Sequence, residues 1–336
     1  MQNLKKIIRK KLFSILSENG IDNFYRVYYR IRYPKDMSKK ESFGELNASN
    51  IIYIIRPRTD CTEGLMSLFM NVARNLHYAK QQGYISVVDF KNYKTQYQCA
   101  EGTKTNVWDW YFTQPSDVKL DEAYQSKNVI LSGLEIQWFK TELFKTNYEN
   151  QALRKLHDEI FSSIDFNETV KKAVEDEMKK SGIVPENTLA LYMRGTDYTS
   201  LKPPGHPVQP SVQQAVEKIN EFLEKHEEIQ NIFLVTEDGK IYEEIQNIYK
   251  EKCIITSFDS FIQNYDGKNY LSHDESIKEL ANSAYERGLN YLIKLIILSK
   301  CKFFVGGNTM GSWAACAFSE KNFEDKHIFD LGMYGK

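Results

Sequence analysis

The chain has 336 residues, of which 42% are hydrophobic and 13% aromatic, and its formal net charge is −1 at pH 7. This composition excludes a disordered or fibrous protein and argues against a nucleic-acid binder that works through overall positive charge. At roughly 150 residues per domain, the length predicts two domains.

The cysteines and histidines give no sign of a metal or disulfide framework. The five cysteines are an odd number, lie far apart and form no CxxC pair, and the six histidines are scattered. We therefore expect reduced thiols, as in a cytoplasmic protein, and no metal site. No signal-peptide pattern is seen, and no apolar run reaches the ~20 residues that span a bilayer.

Positive charge is concentrated at the N-terminus, where residues 1–40 hold eleven Lys and Arg against three acidic residues. In NLKKIIRKKLFSIL the apolar residues recur at helical spacing, and in FYRVYYRIRYP aromatics alternate with arginines. We interpret residues 1–49 as a basic amphipathic arm. It suits the anionic inner face of a cell membrane, and an ordinary helix and strand packed on a domain explain it equally well.

Beyond the arm, apolar runs alternate with helical patterns in an N-terminal domain predicted over residues 50–184. Strands are predicted at 50–56, 84–90 and 127–133, with a helix over 64–82. Residues 134–183 are predicted to be mostly helical. The Gly/Pro/Asn break in SGIVPEN then marks the domain boundary.

The alternation resumes in a C-terminal domain predicted over residues 185–336. Its strands are predicted at TLALYM, NIFLVT, CIITS, KFFVGG and HIFDL, and its helices at 211–225, 240–250, 275–299 and after KFFVGG. Strands that alternate with helices predict parallel sheets. The fold class is therefore α/β, with two facing Rossmann-like domains.

Ligands of such sheets bind outside the carboxyl ends of the strands, so the loops there are the candidate sites. The first such loop ends at Gly64, where a helix begins; a glycine there lets a backbone amide approach a phosphate or sugar oxygen, or simply forms a turn. The sequence has neither GxGxxG nor GxxxxGK[ST], which argues against a simple dinucleotide or P-loop site.

The second loop, in NTLALYMRGTDYTSLKPPGHPVQPS, follows a buried strand with Arg194, Asp197 and His206. The guanidinium fork of Arg194 suits the paired oxygens of a diphosphate. An arginine paired with Asp197 to shape the loop is the alternative. His206 has an ordinary pKa near neutrality, in a loop stiffened by prolines.

The third and fourth loops add acidic and small polar residues. Glu237 and Asp238 follow NIFLVT, where they either bind ribose hydroxyls or cap the next helix. The fourth loop, FFVGGNTMGSWAAC, offers backbone amides and hydroxyls as an anion cradle. Its candidate residues are Asn308, Thr309, Met310, Gly311 and Ser312.

Over roughly residues 50–320, the order of these motifs resembles the GDP-fucosyltransferase superfamily: bacterial α-1,2- and α-1,6-fucosyltransferases and protein O-fucosyltransferases. LYMRGTDY is similar to HxRRxD at Arg194 and Asp197, with Tyr192 and Gly195 in place of the leading His and the second Arg. TEGLMSLFMNVARNL resembles the glycine-led first helix, FLVTED the acidic turn, and GGNTMGSWAA the segment NSTFSWW.

The resemblance implies a two-domain GT-B fold and metal-independent, inverting transfer of a sugar from a nucleotide-diphosphate donor. Arg194 would hold the β-phosphate, and Asp197 or His206 would deprotonate the acceptor. GDP-fucose or another GDP-sugar is the expected donor. Because Lys294 stands where the family usually has an acid that reads guanine, another nucleotide sugar, such as an activated heptose, stays open. A non-catalytic glycan- or nucleotide-binding relative also stays open.

The acceptor is expected on the N-terminal domain, as a glycan or lipid-linked glycan of a bacterial surface polysaccharide. Sugars stack on aromatic rings, which makes Trp108, Trp110 and Tyr111 candidates, although core packing explains them too. We also expect Arg194→Ala to lower turnover and leave the fold intact, because a strand-end residue contributes little to the core.

Overall fold

The structure, a computed structural model, describes residues 27–61, 63–136, 151–319 and 323–335. Most of the predicted basic arm, residues 1–26, lies outside the described residues, so its membrane role stays a prediction. None of the described helices is long and apolar enough to cross a membrane.

The first sheet contains strands β1 (Lys39–Glu41), β2 (Ile52–Ile55), β3 (Ile85–Val88) and β4 (Val129–Leu131). Among the described residues it has four strands in the order β1–β4–β2–β3. Strand β2 pairs in parallel with β3 and β4, whereas β1 runs antiparallel to β4. The predicted arm therefore contributes an edge strand to the sheet. Its sequence KKE gives no apolar signal because an edge strand needs little burial.

Five helices accompany this sheet: α1 (Leu65–Gln82), α2 (Gln96–Glu101), α3 (Leu120–Ala123), α4 (Gln151–Phe161) and α5 (Glu168–Ser181), counting only the described ranges. Helix α1 connects β2 to β3 and ends at Gly83, whose φ of 69° is the left-handed conformation that glycine adopts readily. The sequence predicted this helix to within a residue because its apolar face repeats at helical spacing.

The second sheet contains β5 (Thr188–Tyr192), β6 (Asn231–Val235), β7 (Cys253–Ile254), β8 (Phe303–Gly307) and β9 (Asp325–Phe329). The strand order is β7–β6–β5–β8–β9, and all the described pairs are parallel. The accompanying helices are α6 (Thr196–Leu201), α7 (Val212–Lys225), α8 (Gly239–Tyr249), α9 (Ala284–Lys300) and α10 (Met310–Phe318).

The predicted helix over 275–299 is divided in the structure. Residues Glu275–Glu279 form a short 3₁₀ helix, and α9 begins only after Ser283. The hydroxyl of Ser283 accepts a hydrogen bond from the backbone N–H of Glu286 at 3.1 Å, which caps the new start.

One hydrophobic core joins the two sheets. It contains Tyr53 and Ile55 from β2 and Ala190 and Tyr192 from β5, with apolar residues of α1, α9 and α10. The opposite face of β5 packs in a second cluster with α7 and α8. This arrangement confirms the predicted α/β class: the second sheet is parallel among the described strands, and the first is parallel except for its edge strand β1. The candidate loops follow strands β2, β5, β6 and β8 at the carboxyl ends of the two sheets.

Candidate functional site

The second sheet has a topological switch point between β5 and β8. From β5 the chain leads to β6 on one side, whereas β8 lies on the other side of β5. Ligands of open α/β sheets usually bind in the crevice outside the strand ends at such a point. The loops with Arg194, Glu237 and Thr309 follow β5, β6 and β8, so the fold brings together three of the four predicted loops.

Arg194 is held between two carboxylates. Its Nη2 donates to Asp197 Oδ1 at 2.9 Å, and its Nη1 lies 3.3 Å from Glu237 Oε2. The guanidinium also lies over the ring of Tyr198, with Cζ 5.4 Å from the centroid. The Arg194 side chain keeps 21% of its surface exposed. Arg194 is therefore paired with Asp197, as one of the two interpretations of the sequence expected, and its side chain is only partly covered.

The two carboxylates also bind the backbone around them. Glu237 Oε1 accepts hydrogen bonds from the N–H of Gly195 and from Thr196 Oγ1, each at 2.9 Å. Asp197 Oδ2 accepts from the N–H of Leu271 at 3.0 Å. The loop after β5 is thus tied to the loop after β6 and to residue 271. A guanidinium fixed in this way is oriented before any ligand arrives.

The electrostatics of Arg194 follow from these pairs. Burial alone would lower its pKa, but attraction to Glu237 and then to Asp197 outweighs burial and raises the pKa well above its ordinary value. Removal of the arginine would leave two buried carboxylates without their cation, which is strongly destabilising. The expectation that Arg194→Ala leaves the fold intact therefore has to be revised.

The predicted anion cradle is the N-terminus of α10. Thr309 is its N-cap, and the Thr309 hydroxyl accepts from the N–H of Ser312 at 3.4 Å. Ser312 Oγ donates to Gly307 O at 2.6 Å, and Asn308 Oδ1 accepts from Trp313 Nε1 at 2.9 Å. These polar side chains bond within the turn. Of the first-turn amides, Ser312 is capped by Thr309, which leaves the N–H groups of Met310 and Gly311 for an anion.

Gly311 of α10 packs against Tyr192 of β5. The hydroxyls of Tyr192 and Tyr291 are 3.0 Å apart, and a Cβ on Gly311 would lie 2.4 Å from the Tyr192 hydroxyl. Tyr192 is only 3% exposed, and burial raises its pKa to about 12. Gly311 is therefore required by packing of the helix onto the sheet. Met310, the first residue of α10, is half-buried.

Asp238 caps a helix, one of the two roles that the sequence allows. Its Oδ1 accepts from the N–H of Lys240 at 2.9 Å, and its Oδ2 accepts from the N–H of Thr196 at 3.0 Å. A Cβ on Gly195 would lie 2.3 Å from that second oxygen. Asp238 and Gly195 thus fit together across the loops that follow β6 and β5.

His206 lies half-buried beside two tyrosines of the same region. Its ring centroid is 5.3 Å from that of Tyr198 and 6.0 Å from that of Tyr270. Burial lowers the pKa of His206, and the charge of Asp197 opposes this only in part. The imidazole is therefore neutral near pH 7 and able to accept a proton. Both carboxylate oxygens of Asp197 already accept hydrogen bonds, so His206 is the better candidate for a base.

Gly64 and the three aromatic candidates lie in the first unit. Gly64 is the exposed N-cap of α1, with φ −71° and ψ 167°, a conformation open to any residue. Trp108 and Tyr111 are 2% and 0% exposed and belong to the shared core, whereas Trp110 is half-buried. A ring needs an exposed face to stack on a sugar, so the acceptor prediction now depends on Trp110.

Lys294 is a buried structural residue. It is 9% exposed, forms an ion pair with the buried Asp259, and lies 5.8 Å from the ring centroid of Phe258. Asp259 Oδ2 accepts in turn from Thr256 Oγ1 at 2.7 Å. The ion pair explains why a lysine stands on this apolar helix without reference to a nucleotide base.

One group of side chains among the described residues has spacing suited to a metal: atoms of His226, Glu228 and Glu324 lie within 4.8 Å of one another. Lys302 Nζ lies 2.8 Å from Glu228 and 3.0 Å from Glu324. A lysine therefore already contacts both carboxylates, and we interpret the group as a surface ion-pair network.

Sequence patterns did not identify Tyr198, Tyr291 or the Leu271 amide, which complete the surroundings of Arg194 and Tyr192. The Leu271 amide donates to Asp197, 74 residues away in the chain, and the Tyr291 hydroxyl meets that of Tyr192, 99 residues away. Tyr198 lies in α6, whose single turn and a half is too short for a periodic signal. For these residues the sequence carries no local signal.

No protein-family model and no curated protein matches the chain. Among solved structures, it is similar to NodZ α-1,6-fucosyltransferase soaked with GDP-fucose, with a TM-score of 0.45 and 11% identity over 85% of this chain and 97% of that one. A NodZ structure from Bradyrhizobium has a TM-score of 0.43 and 11% identity, over 79% of this chain and 91% of that one. POFUT1 in complex with GDP-fucose has a TM-score of 0.37 and 12% identity, over 86% of this chain and 75% of that one. The solved structures to which this chain is similar thus include fucosyltransferases.

Proposed function

We propose that the chain is a metal-independent, inverting glycosyltransferase that takes a sugar from a nucleotide-diphosphate donor. One observation carries the proposal: Arg194 and the N-terminus of α10 flank the same switch point of a parallel sheet. A guanidinium fork and a helix N-terminus are two devices that bind phosphate oxygens. Their convergence suits a diphosphate.

The proposed chemistry is stabilisation of a departing diphosphate. Negative charge develops on the phosphates as the bond to the sugar breaks, and donors that are already oriented stabilise it most. The pairs with Asp197 and Glu237 orient Arg194, and the N-cap Thr309 orients the first turn of α10. His206 then takes the proton of the attacking hydroxyl. Attack from the face opposite the diphosphate inverts the anomeric carbon.

The donor and acceptor are proposed from the sequence motifs. The order of the motifs around Arg194, Glu237 and Thr309 supports GDP-fucose or another GDP-sugar. The acceptor is proposed to be a glycan or glycolipid in the synthesis of a bacterial surface polysaccharide. The basic residues 1–40 would hold the enzyme at the inner face of the membrane, where a lipid-linked acceptor is presented.

A second candidate function is a non-catalytic nucleotide- or glycan-binding protein. The specific observation in its favour is that Asp197 and Glu237 together outweigh the single charge of Arg194. A diphosphate at this site would approach a cluster with one excess negative charge, which weakens the grip that catalysis requires.

Titration calorimetry with GDP, UDP, CDP, ADP and dTDP in EDTA, followed by hydrolysis assays with the matching nucleotide sugars, separates these candidates. The glycosyltransferase should bind one nucleotide and slowly hydrolyse its sugar conjugate without metal. Binding without any turnover, with acceptor glycans present, would favour the second candidate. Absence of binding by all five nucleotides would contradict the proposed donor site.

A further inference from the structure

A pocket of about 590 Å³ opens on the first sheet, near the ends of β2 and β4. Its lining includes Arg56, which directly follows β2, Leu131 at the end of β4, and Tyr93 beyond β3. The volume lies within the ~300–1,000 Å³ that is typical of small-molecule sites. The pocket is separate from the site around Arg194.

The pocket lies at the switch point of its own sheet. From β2 the chain leads to β3 on one side, whereas β4 lies on the other side of β2. Arg56 spans this point: its Nε donates to Ser132 O, just beyond β4, at 3.0 Å, and its Nη2 donates to Met37 O at 2.8 Å. The same topological rule that selects the Arg194 site therefore selects this pocket.

Among the described residues the guanidinium of Arg56 forms no ion pair, and the buried Asp36 lines a small neighbouring cavity together with it. Both hydrogen-bond partners of the guanidinium are neutral carbonyls. Lys35 and Lys39 line the same pocket, against the single acid Glu41, which pairs with Lys39. Just outside the lining, Glu135 accepts from the N–H of Ser38. The pocket thus has an excess of positive charge at a half-buried guanidinium.

Three aromatic rings form part of the wall: Phe43, Tyr93 and Tyr124. Arg56 Cζ lies 5.2 Å from the ring centroid of Tyr93, and the rings of Phe43 and Tyr124 lie 5.0 Å apart. The hydroxyl of Tyr124 donates to the buried Asp89 at 2.6 Å, which fixes its ring. Rigid aromatic walls next to a cation suit a ligand with an anionic group and a ring with C–H faces.

We propose that this pocket binds an anionic saccharide, that is, a sugar that carries a phosphate or a carboxylate. The anion lies at Arg56, with Lys35 and Lys39 at the rim, and the sugar ring packs against Tyr93. Recognition of the charge requires the fork of Arg56, whose orientation the two carbonyls set. That this saccharide is the acceptor of the transfer rests on the proposed function. That it binds in the pocket does not.

The test is titration of the full chain by ligand-observed NMR with four probes: glucose 6-phosphate, glucuronate, glucose and inorganic phosphate. Glucose 6-phosphate or glucuronate should bind about tenfold more tightly than glucose, because a hydrogen bond to a charged group is worth about one such factor. Which of the two binds more tightly identifies the anion. Equal affinity for glucose, or phosphate alone binding as tightly as the sugar phosphate, would overturn the proposal.

Variants locate the binding. Arg56→Gln should weaken it about tenfold, and the exposed Lys35→Gln about threefold. Arg58→Gln is the matched control, because Arg58 pairs with Asp60 at 2.5 Å and does not line the pocket. Thermal unfolding reports whether each variant folds. If Arg56→Gln does not fold, Lys35→Gln decides, and an unchanged affinity in Lys35→Gln contradicts the assignment.

Nucleotide titrations on the same variants keep this proposal distinct from the proposed function. Lys35→Gln should bind the nucleotide as the unsubstituted chain does. If the chain binds anionic saccharides but no nucleotide, the proposed glycosyltransferase function is contradicted and the proposed saccharide site is supported.

Discussion

Arg56 and Arg194 occupy corresponding places in the two sheets, since each follows the strand that borders the switch point of its sheet. Their electrostatic surroundings are opposite. Arg194 is paired with Asp197 and Glu237, whereas Arg56 donates to the carbonyls of Ser132 and Met37. The guanidinium of Arg194 is oriented by two carboxylates, whereas the guanidinium of Arg56 is oriented by two neutral carbonyls.

Arg194→Ala should destabilise the fold by about 3 kcal/mol, because it leaves Asp197 and Glu237 buried without their cation. The double variant Arg194→Ala/Glu237→Gln should recover part of this loss, because one of the stranded charges is removed. Urea unfolding of both variants and of Glu237→Gln alone gives the coupling. A loss below about 0.5 kcal/mol in Arg194→Ala would show that the pairs are loose in solution.

Thr309→Val should lower nucleotide affinity and cost about 1 kcal/mol of stability, because the N-cap of α10 is lost. Thr95→Val is the matched control: Thr95 caps α2 by accepting from the N–H of Gln98 at 3.3 Å. It should lose similar stability without any change in affinity. Calorimetric titration with whichever of the five nucleotides binds the unsubstituted chain measures the difference in affinity. Equal affinities in the two variants would exclude the α10 N-terminus from the site.

Activity should be lost as the pH falls through a value below 6.5, the ordinary pKa of histidine, because burial lowers the pKa of His206 and only the neutral ring accepts a proton. His206→Gln should remove this acidic limb and lower kcat by about 100-fold or more. His327→Gln is the control, since burial lowers the pKa of His327 too. If the His206→Gln variant still loses activity at low pH as the unsubstituted chain does, His206 is not the base.

The same two histidines should affect stability in the same pH range. Their folded-state pKa values lie below those of the unfolded chain, so the unfolded state binds more protons and stability falls as the pH drops below about 6.5. Urea unfolding at pH 7.5 and 5.5 should show a smaller loss in the double variant His206→Gln/His327→Gln than in the unsubstituted chain.

Trp108→Ala should destabilise the fold by about 3–5 kcal/mol, because a buried indole leaves a cavity. Trp110→Ala should cost less, because its ring is half-buried. If Trp110 stacks on the acceptor, its loss raises the KM for acceptor and leaves that for the donor unchanged. Steady-state kinetics with both substrates test this, and an unchanged acceptor KM assigns Trp110 to packing.

Much of the fold was predictable because its signals are local. Apolar runs and helical periodicity located β2, β5, β6, β8 and α1 within a few residues, and the rule for parallel sheets placed Arg194, Glu237 and Thr309 at one edge. Hydrophobic patterns missed strand β1, which is polar and three residues long, and the late start of α9, which the pair Ser283 and Glu286 marks as a capping signature.

By itself the sequence determined which residues end the strands, because strand formation follows from local apolar runs. Only the tertiary structure decided what those residues meet. Arg194 pairs with a carboxylate that follows a different strand, and Arg56 meets the carbonyls beyond β4 and before β1, because the order of strands in a sheet joins segments far apart in the chain. The ion pairs of Arg194 and the carbonyl partners of Arg56 follow from that order.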